Sequence, residues 1–572
     1  MTQIVVLQLA VFLAIILALV KPLGWYMAQV YEGKPCALDP IMSPLQSVMA
    51  RCCGISLDPE MDWKQYLSAL LLFNMFGVLV VYLLQRLQIY LPFNPAAVAA
   101  VAPDLAFNTA SSFVTNTDWQ SYSGEASISY LTQTLALTVQ NFMSAATGMS
   151  LVAAFIRGIV RHETNNLGNF WIDTIRGTLY ILLPLSLILA VALASQGVIQ
   201  NYKPYQQIKV LSPTATITSQ TLAMGPVASQ IAIKQLGSNG GGFFNTNSAH
   251  PFENPTPFTN FLELLAIILI PAALCYTFGV MIKDRRQGWV LLIAMVVIFV
   301  PCLCFTVIAE SQSNPALDKI GIMHGRNMEG KEARFGVVSS ALWATATTAV
   351  ANGSVNSMHD SFMPLGSIMP LALMHMGEVV FGGVGCGLYG MLMLVIITVF
   401  VSGLMVGRTP EYLGKKIEPF EMKMAVLAVL IMPLLILLCT AAASVSKLGT
   451  SALGNPGAHG FTEILYGFTS MAANNGSAFG GLSTNTMFYN IVGALVMLIS
   501  RYWSAIATMA IAGSLVRKKI IPVSAGTLAT HTTLFMMLLI AVIIILAALS
   551  FLPALALGPI AEHVNLWEQY GH

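Results

Sequence analysis

The stretch Gly237-Ser238-Asn239-Gly240 holds the first of three Asn-Gly dipeptides in this chain of 572 residues. The others are Asn352-Gly353 and Asn475-Gly476, so the three asparagines lie 113 and 123 residues apart. Thr115-Asn116-Thr117 lies a further 123 residues back from the first. Each polar segment follows a short helix-length stretch and precedes a long apolar one. Self-similarity at a near-constant interval indicates a repeated structural unit. Four such units around one axis would form a pore, with the polar segments at its narrowest point.

Two other interpretations of these segments stay open at this point. Asn-Gly is the most common dipeptide in tight turns, so three surface turns could share the spacing by chance. The segments could also belong to a transporter whose polar loops bind a solute other than a metal cation.

The composition indicates a polytopic membrane protein. Hydrophobic residues make up 56% of the chain and charged residues only 9%, whereas a soluble domain carries roughly 25% charged residues. A net charge of +2 predicts no nucleic-acid partner. The eight scattered cysteines have the spacing of neither a zinc site nor a disulfide framework. The apolar N-terminal stretch lacks a basic leader and a cleavage site, and is predicted to be a retained transmembrane helix.

Ten stretches are long and apolar enough to cross a bilayer, which takes about 20 residues. They are residues 3–23, 65–88, 127–156, 177–198, 259–282, 287–309, 366–406, 421–443, 486–515 and 532–556. Four segments between them are too short and polar to span, and are predicted to be re-entrant half-helices: 100–115, 226–238, 335–351 and 460–474. The fold class is therefore an all-α membrane protein of four membrane–pore–membrane repeats, with one extra helix at each end.

Basic residues predict the orientation of the chain. Arg157, Lys283 and Arg517 lie 41, 44 and 42 residues after the first, second and fourth asparagine. Because basic clusters mark cytoplasmic ends, the polar segments are expected to open outward. In the third unit Arg408 comes 56 residues after Asn352. The glycines near residues 382–387 each cost about 1 kcal/mol in a helix interior, so the third inner helix is predicted to be broken by an inserted loop.

The four segments have the chemistry of a potassium filter. A filter replaces the water around the ion with rings of oxygen atoms, mostly backbone carbonyls. Such a backbone needs residues that tolerate positive φ, and glycine and asparagine tolerate it best. The half-helices would also direct their partly negative C-terminal ends at the ion. The predicted filter residues are Thr115, Asn116, Thr117, Ser238, Asn239, Gly240, Ala351, Asn352, Gly353, Asn474, Asn475 and Gly476.

Several longer motifs resemble the potassium-binding A subunit family of the bacterial Kdp ATPases. The resemblance covers the chain from about residue 60 to its end. It is carried by the segments 112–117, 237–245, 250–255, 358–362, 377–385 and 407–416. In this chain Ala351-Asn352-Gly353 stands where the family usually has Ser-Cys-Gly, and Asp118 stands where it usually has Asn. A carboxylate at Asp118 is expected in the outer vestibule, where it would raise the local cation concentration.

The resemblance implies a function and partners. The chain is expected to bind and select potassium from outside the cell, in the inner membrane of a bacterium and surrounded by lipid. It is expected to pass the ion to a P-type ATPase B subunit, in a complex with a C subunit and a single-span F subunit. The implied organisation is an N-terminal helix and loop (1–60), four repeats (61–162, 163–286, 287–418, 419–520) and a C-terminal helix (521–572).

Two charges within predicted membrane helices, Glu378 and Arg501, mark a second region of interest. Charges in a membrane are costly and usually functional, although a structural ion pair between helices is an equal alternative. The resemblance implies that they lie below the filter and gate the cytoplasmic path. From the charges themselves, Glu378 is expected to tune Arg501 by pairing with it. The loop of unit three, with Gly382, Gly383 and Gly385, is expected beside them.

This chain is predicted not to hydrolyse ATP by itself, and to bind no metal other than potassium. It contains no Walker A run, and Asp318-Lys319-Ile320-Gly321 lacks the threonine of a P-type phosphorylation motif. The absence of clustered histidines, cysteines or carboxylates argues against an intramembrane enzyme. The remaining alternative is a self-sufficient potassium channel or cation symporter of the same superfamily.

Overall fold

The fold is that of an all-α membrane protein, as predicted. The computed structural model describes residues 3–56, 59–214, 217–322, 325–405, 407, 409–522 and 528–571. Within these residues ten helices are long and apolar enough to span a membrane, which confirms the predicted number. Arg408, whose cytoplasmic position was predicted, lies outside the described residues.

Each of the four units contains a peripheral helix, a buried half-helix and an inner helix. The peripheral helices are Trp63–Leu87, Leu183–Ser195, Arg285–Glu310 and Pro419–Val445. The half-helices are Pro103–Val114, Val227–Leu236, Gly336–Val350 and Gly457–Ala473. The inner helices are Val139–Val160, Pro257–Met281, the pair Pro364–His375 and Cys386–Met405, and Met487–Leu515. The four units follow one another along the chain, so each unit is one continuous segment.

Further helices flank and connect the units. Gln3–Glu32 precedes unit one and Thr533–Leu555 follows unit four, so one extra membrane helix lies at each end. The shorter helices are Asp39–Cys52, Gln88–Tyr90, Gly124–Ser127, Thr132–Thr138, Phe170–Arg176, Gly177–Leu182, Asn247–Ala249, Pro315–Lys319, His359–Ser361, Lys447–Thr450, Ala556–Ile560 and Ala561–Tyr570. Three antiparallel strand pairs join Met61–Asp62 to Asn166–Gly168, Gln206–Lys209 to Ser219–Leu222, and Glu411–Tyr412 to Lys415–Lys416.

The half-helices end where the chain turns into the four polar segments. At or just after each C-terminus one residue adopts the left-handed conformation: Asn116, Ser238, Ala351 and Asn474, with φ of 64°, 51°, 59° and 60°. A left-handed residue ends a helix and turns the following chain aside. Although the half-helices are too short to cross a membrane, their C-terminal halves are buried in the protein. They are therefore re-entrant, as predicted.

The third inner helix is interrupted, which confirms the predicted break. Helix Pro364–His375 ends, and helix Cys386–Met405 begins, on either side of a ten-residue loop. Within this loop Gly377, Glu378, Phe381, Gly382 and Gly385 have positive φ. A backbone with five positive-φ residues in a short span cannot continue a right-handed helix.

Candidate functional site: a ring of four filter segments

The four polar segments meet in a closed ring through their backbones. The N–H of Gly353 donates to the carbonyl oxygen of Asn239 at 3.1 Å. A Cβ built on Gly240 would collide with the backbone of Gly353, and one on Gly353 would lie 2.8 Å from the carbonyl carbon of Gly476. One on Gly476 would collide with the carbonyl oxygen of Thr117. The ring therefore has room for glycine only at these three positions.

Side-chain amides join each segment to its neighbour behind the backbone. Asn116 donates to the carbonyl of Ser238 at 2.8 Å, and Asn239 donates back to the Asn116 side-chain oxygen at 2.6 Å. Asn352 of unit three donates to a unit-two carbonyl, that of Lys234, at 3.1 Å.

The same pattern continues through unit four and closes the circle. Asn475 donates to a unit-three carbonyl, that of Thr347, at 3.0 Å. Asn474 donates to the Thr117 hydroxyl of unit one at 2.9 Å. The amide nitrogens of all five asparagines therefore donate to protein.

The backbone corrects the predicted register of unit one. The sequence pairs Asn116 with the asparagines of the Asn-Gly dipeptides, but its left-handed φ matches that of Ser238, Ala351 and Asn474. A second positive φ follows two residues later at Asp118, Gly240 and Gly476, with values of 52°, 105° and 99°. Gly353 has no positive φ, although its close approach to Gly476 still requires glycine. Thr117 and Asp118 are therefore the unit-one counterparts of Asn-Gly.

Asp118 thus belongs to the first polar segment. The residue borders the outer cavity but is only 2% exposed. Its Oδ2 accepts a hydrogen bond at 3.1 Å from Asn141, on the unit-one inner helix. The carboxylate is thus tied to the unit-one inner helix while the residue borders the outer cavity.

Sequence reasoning missed the polar groups that support the ring. Ser144 on the unit-one inner helix donates to the Asn116 oxygen at 2.7 Å. Lys234 on the unit-two half-helix pairs with Glu253 at 2.6 Å, and neither side chain is exposed. A lysine inside a half-helix was the available signal, since an intramembrane charge requires a partner. The partner carboxylate pins the loop that leaves the second filter segment.

Below the filter, the unit-three loop packs against the unit-one inner helix. The N–H of Gly382 donates to the carbonyl of Ala349, at the end of the third half-helix, at 3.0 Å. A Cβ on Gly385 would collide with the backbone of Gly148, and Arg501 Nη2 would lie 3.3 Å from a Cβ on Gly148. The loop and the guanidinium therefore lie together beside the unit-one helix.

A cavity of about 100 Å³ opens between units three and four beside this loop. Glu378 and Arg501 both line it, together with Cys386 and Tyr389 on one side and Met432 of the unit-four peripheral helix on the other. Among the described residues no ion pair joins Glu378 to Arg501, which corrects the expected pairing. The two charges share the cavity without closing it by direct contact.

The outer cavity lies on the opposite side of the ring and measures about 780 Å³. Near its rim His459, at the start of the fourth half-helix, contacts Asp360 at 2.9 Å and Glu562 of the C-terminal helix at 2.8 Å. Burial lowers the pKa of His459, but the hydrogen bonds to the two carboxylates outweigh it and raise the pKa to about 10. The protonated imidazole therefore bridges three parts of the chain.

Comparison with known proteins agrees with this architecture. Residues 10–564 match the family model described as the potassium-transporting ATPase A subunit. A protein of Herpetosiphon aurantiacus named potassium-transporting ATPase potassium-binding subunit is 58% identical, over 98% of this chain and 99% of its own length. One of the same name from Methylococcus capsulatus is 56% identical, over 98% of both chains.

A solved structure shares the fold at much lower sequence identity. The potassium transporter TrkH from Vibrio parahaemolyticus superimposes with a TM-score of 0.51 at 12% identity, covering 85% of this chain and 96% of its own. At this identity the likeness concerns the fold alone. The match along nearly the whole chain, with relatives above 50% identity, decides the family: this chain belongs to the potassium-transporting ATPase A subunits.

Proposed function

We propose that this chain binds and selects potassium in the four-segment ring and passes it to a P-type ATPase subunit for ATP-driven import. The observation that carries the proposal is the closed ring of amide hydrogen bonds behind a glycine-lined backbone. Such a ring holds carbonyl oxygens at fixed separations, and carbonyl rings are what replace the hydration shell of potassium. The family and the names of its members agree with potassium as the ion.

The region below the ring supports a sideways exit in place of a straight pore. The loop at residues 376–385 lies under the third filter segment, and Arg501 adds a fixed positive charge beside it. At an effective dielectric of about 20, two unit charges 4 Å apart repel by roughly 4 kcal/mol. The cavity next to Arg501 extends to the unit-four peripheral helix. An ion that leaves the filter would be directed between units three and four, toward a partner in the membrane.

The proposed setting is the inner membrane of a bacterium, in a complex with B, C and F subunits. The chain contributes no ATP site and no catalytic group to this complex. Its role is to hold the ion while the ATPase subunit supplies the energy. The competing function, a self-sufficient channel or symporter, predicts a chain that transports potassium without an ATPase. Purification of the tagged chain separates the two, because only the first function requires a co-purifying P-type ATPase.

The filter assignment is tested by Gly476→Ala. A Cβ at this position collides with the carbonyl oxygen of Thr117, and alanine is strained at a φ of 99°. We expect the variant complex to lose potassium-over-sodium discrimination in a transport assay. Gly457→Ala is the matched control, because Gly457 also has a positive φ but no atom within 4 Å of its Cβ position. Unchanged discrimination in Gly476→Ala would reject the ring as the filter.

A further inference from the structure

A β-hairpin after the unit-three inner helix lies across the basic ends of two other inner helices. Its strands Glu411–Tyr412 and Lys415–Lys416 are joined by Leu413 and Gly414, which both have positive φ. Two consecutive positive φ values are what a type I′ hairpin turn requires. The N–H of Ile521, beyond the unit-four inner helix, donates to the carbonyl of Gly414 at 2.8 Å. The hairpin is therefore attached to unit four at its tip.

Lys415 of this hairpin is buried and binds both helix ends directly. The residue is 1% exposed, and its Nζ donates to the carbonyls of Arg161 at 2.6 Å, Leu515 at 2.9 Å and Lys518 at 3.0 Å. Arg161 caps the unit-one inner helix and Leu515 is the last residue of the unit-four inner helix. An ammonium group has three donors, so all three are used on carbonyls at the negative ends of helices.

The helices that Lys415 joins are in direct contact just above it. A Cβ built on Gly158 of the unit-one helix would lie 2.8 Å from the Cα of Ala512 on the unit-four helix. The N–H of Thr164 donates to the carbonyl of Val516 at 3.3 Å. The two inner helices therefore leave no gap between them at this end of the pore.

A second lysine holds the hairpin from the unit-four side. Lys518 donates to the carbonyl of Lys416 at 2.8 Å and pairs with Glu421 at 2.9 Å. Glu421 is buried at the start of the unit-four peripheral helix. The hairpin of unit three is thus fixed between units one and four, and it cannot swing away without breaking charge-assisted bonds.

We propose that Lys415 is a positioning residue that holds the inner helices of units one and four together, and so closes the direct route from the filter to the cytoplasm. The inference rests on the proposed function in one respect, namely that potassium enters through the ring. The closed route then depends on Lys415 as well as on Arg501 and the loop at residues 376–385, so loss of either is expected to open it. Its residues contact no filter segment, so a change at Lys415 is expected to affect leakage without affecting potassium binding.

The test compares Lys415→Met with Lys416→Met in the complete complex, reconstituted in vesicles. Methionine keeps the length of the side chain but removes all donors. Lys416 is the matched control because its side chain is half exposed and forms only a surface ion pair with Glu418, while its carbonyl, which accepts from Lys518, is kept in the variant. A charge-assisted hydrogen bond biases an equilibrium by about tenfold or more. We therefore expect potassium leakage without ATP to rise by at least about tenfold in Lys415→Met, and to be unchanged in Lys416→Met.

A cross-link provides a second measurement that does not depend on the Lys415 variant. Glu163 and Lys519 lie on the surface beside the same joint, with 3.7 Å between their charged atoms. Replacing both by cysteine and adding a short bifunctional maleimide would lock the joint, with the unaltered complex as the control for native thiols. We expect the lock to suppress the leak of Lys415→Met, and to leave ATP-driven uptake of the otherwise unaltered complex at its normal rate.

The outcomes separate this inference from the proposed function. If Lys415→Met binds potassium normally and shows no leak, the proposed role of Lys415 is refuted, while the ring remains the candidate filter. If the cross-link stops ATP-driven uptake, the inner helices of units one and four separate during transport. The proposal that they stay together and keep the direct route closed is then wrong. If the unaltered complex binds no potassium, the proposed function fails, and the role of Lys415 that rests on it fails with it. Should Lys415→Met fail to assemble, the effect of the lock on uptake still decides the question.

Discussion

Replacing Asn116 by Asp is the most direct perturbation of the filter ring. The substitution keeps the size of the side chain but turns two donors into acceptors. The Asn116 amide nitrogen donates to the carbonyls of Ser238 at 2.8 Å and Gly237 at 3.3 Å, while its oxygen accepts from Asn239 and Ser144. A carboxylate keeps the two accepted bonds and loses both donated ones. It also places a negative charge against the carbonyl of Ser238.

The magnitude follows from these bonds. Leaving a buried acceptor without its donor costs about 1–3 kcal/mol. The short bond to Ser238 is lost outright, and the longer one to Gly237 contributes less, so we estimate about 2–3 kcal/mol against the aligned ring. Since 1.4 kcal/mol corresponds to a factor of ten, the potassium affinity of the complex should fall by roughly 30- to 150-fold.

The assay is potassium binding and potassium-over-sodium discrimination of the purified complex. Asn245→Asp is the control, because Asn245 is exposed beside the outer cavity and its substitution adds the same charge without breaking the ring. We expect this control to change affinity by less than about threefold, as exposed charges interact weakly. If Asn116→Asp binds potassium with unchanged affinity and discrimination, the amide ring does not hold the filter.

Three further predictions follow from other parts of the site. Glu253→Gln leaves the buried Lys234 without its anion and should lower the free energy of unfolding by about 3–5 kcal/mol. The control Glu332→Gln, in a surface pair with Arg334, should lower it by less than about 1 kcal/mol. Equal effects of the two substitutions would contradict the argument. Arg501→Met should allow potassium to leak without ATP, and the exposed Arg517→Met should not. Because the pKa of His459 is raised to about 10, its bridge stabilises the fold fully below about pH 6.5 and progressively less as pH rises toward 10. The difference in unfolding temperature between the unaltered protein and His459→Gln should therefore shrink from pH 6 to pH 10, and a constant difference would refute the bridge.

Features that are determined by the residues of a single segment could be predicted from the sequence. The ten membrane helices follow from the length of apolar runs, and the re-entrant half-helices follow from runs too short and polar to span. The break in the third inner helix follows from glycine density near Gly382 and Gly385. Each of these depends on the residues of one segment only, and each is present in the structure.

Features that depend on partners far along the chain could not be predicted. The repeated Asn-Gly dipeptide suggests a register that is one residue wrong in unit one, because the left-handed position is filled by Asn116, Ser238, Ala351 and Asn474. These four residues have no common sequence signal. Lys415 binds main-chain carbonyls, which every residue has. A pattern of side chains therefore contains no trace of that contact.

The geometry assigns different tasks to the ring and to unit three. The ring is closed by hydrogen bonds from asparagine side chains, and these bonds differ at each junction. Every segment is therefore held by two neighbours, and the ring has little freedom to open or close. Control of the ion must then lie below it, where unit three departs from the other units. Its loop at residues 376–385 lies under the filter, and its hairpin with Lys415 lies at the basic end. Helix Cys386–Met405 lies between the loop and the hairpin in the chain, so unit three alone supplies both supports of the closed route.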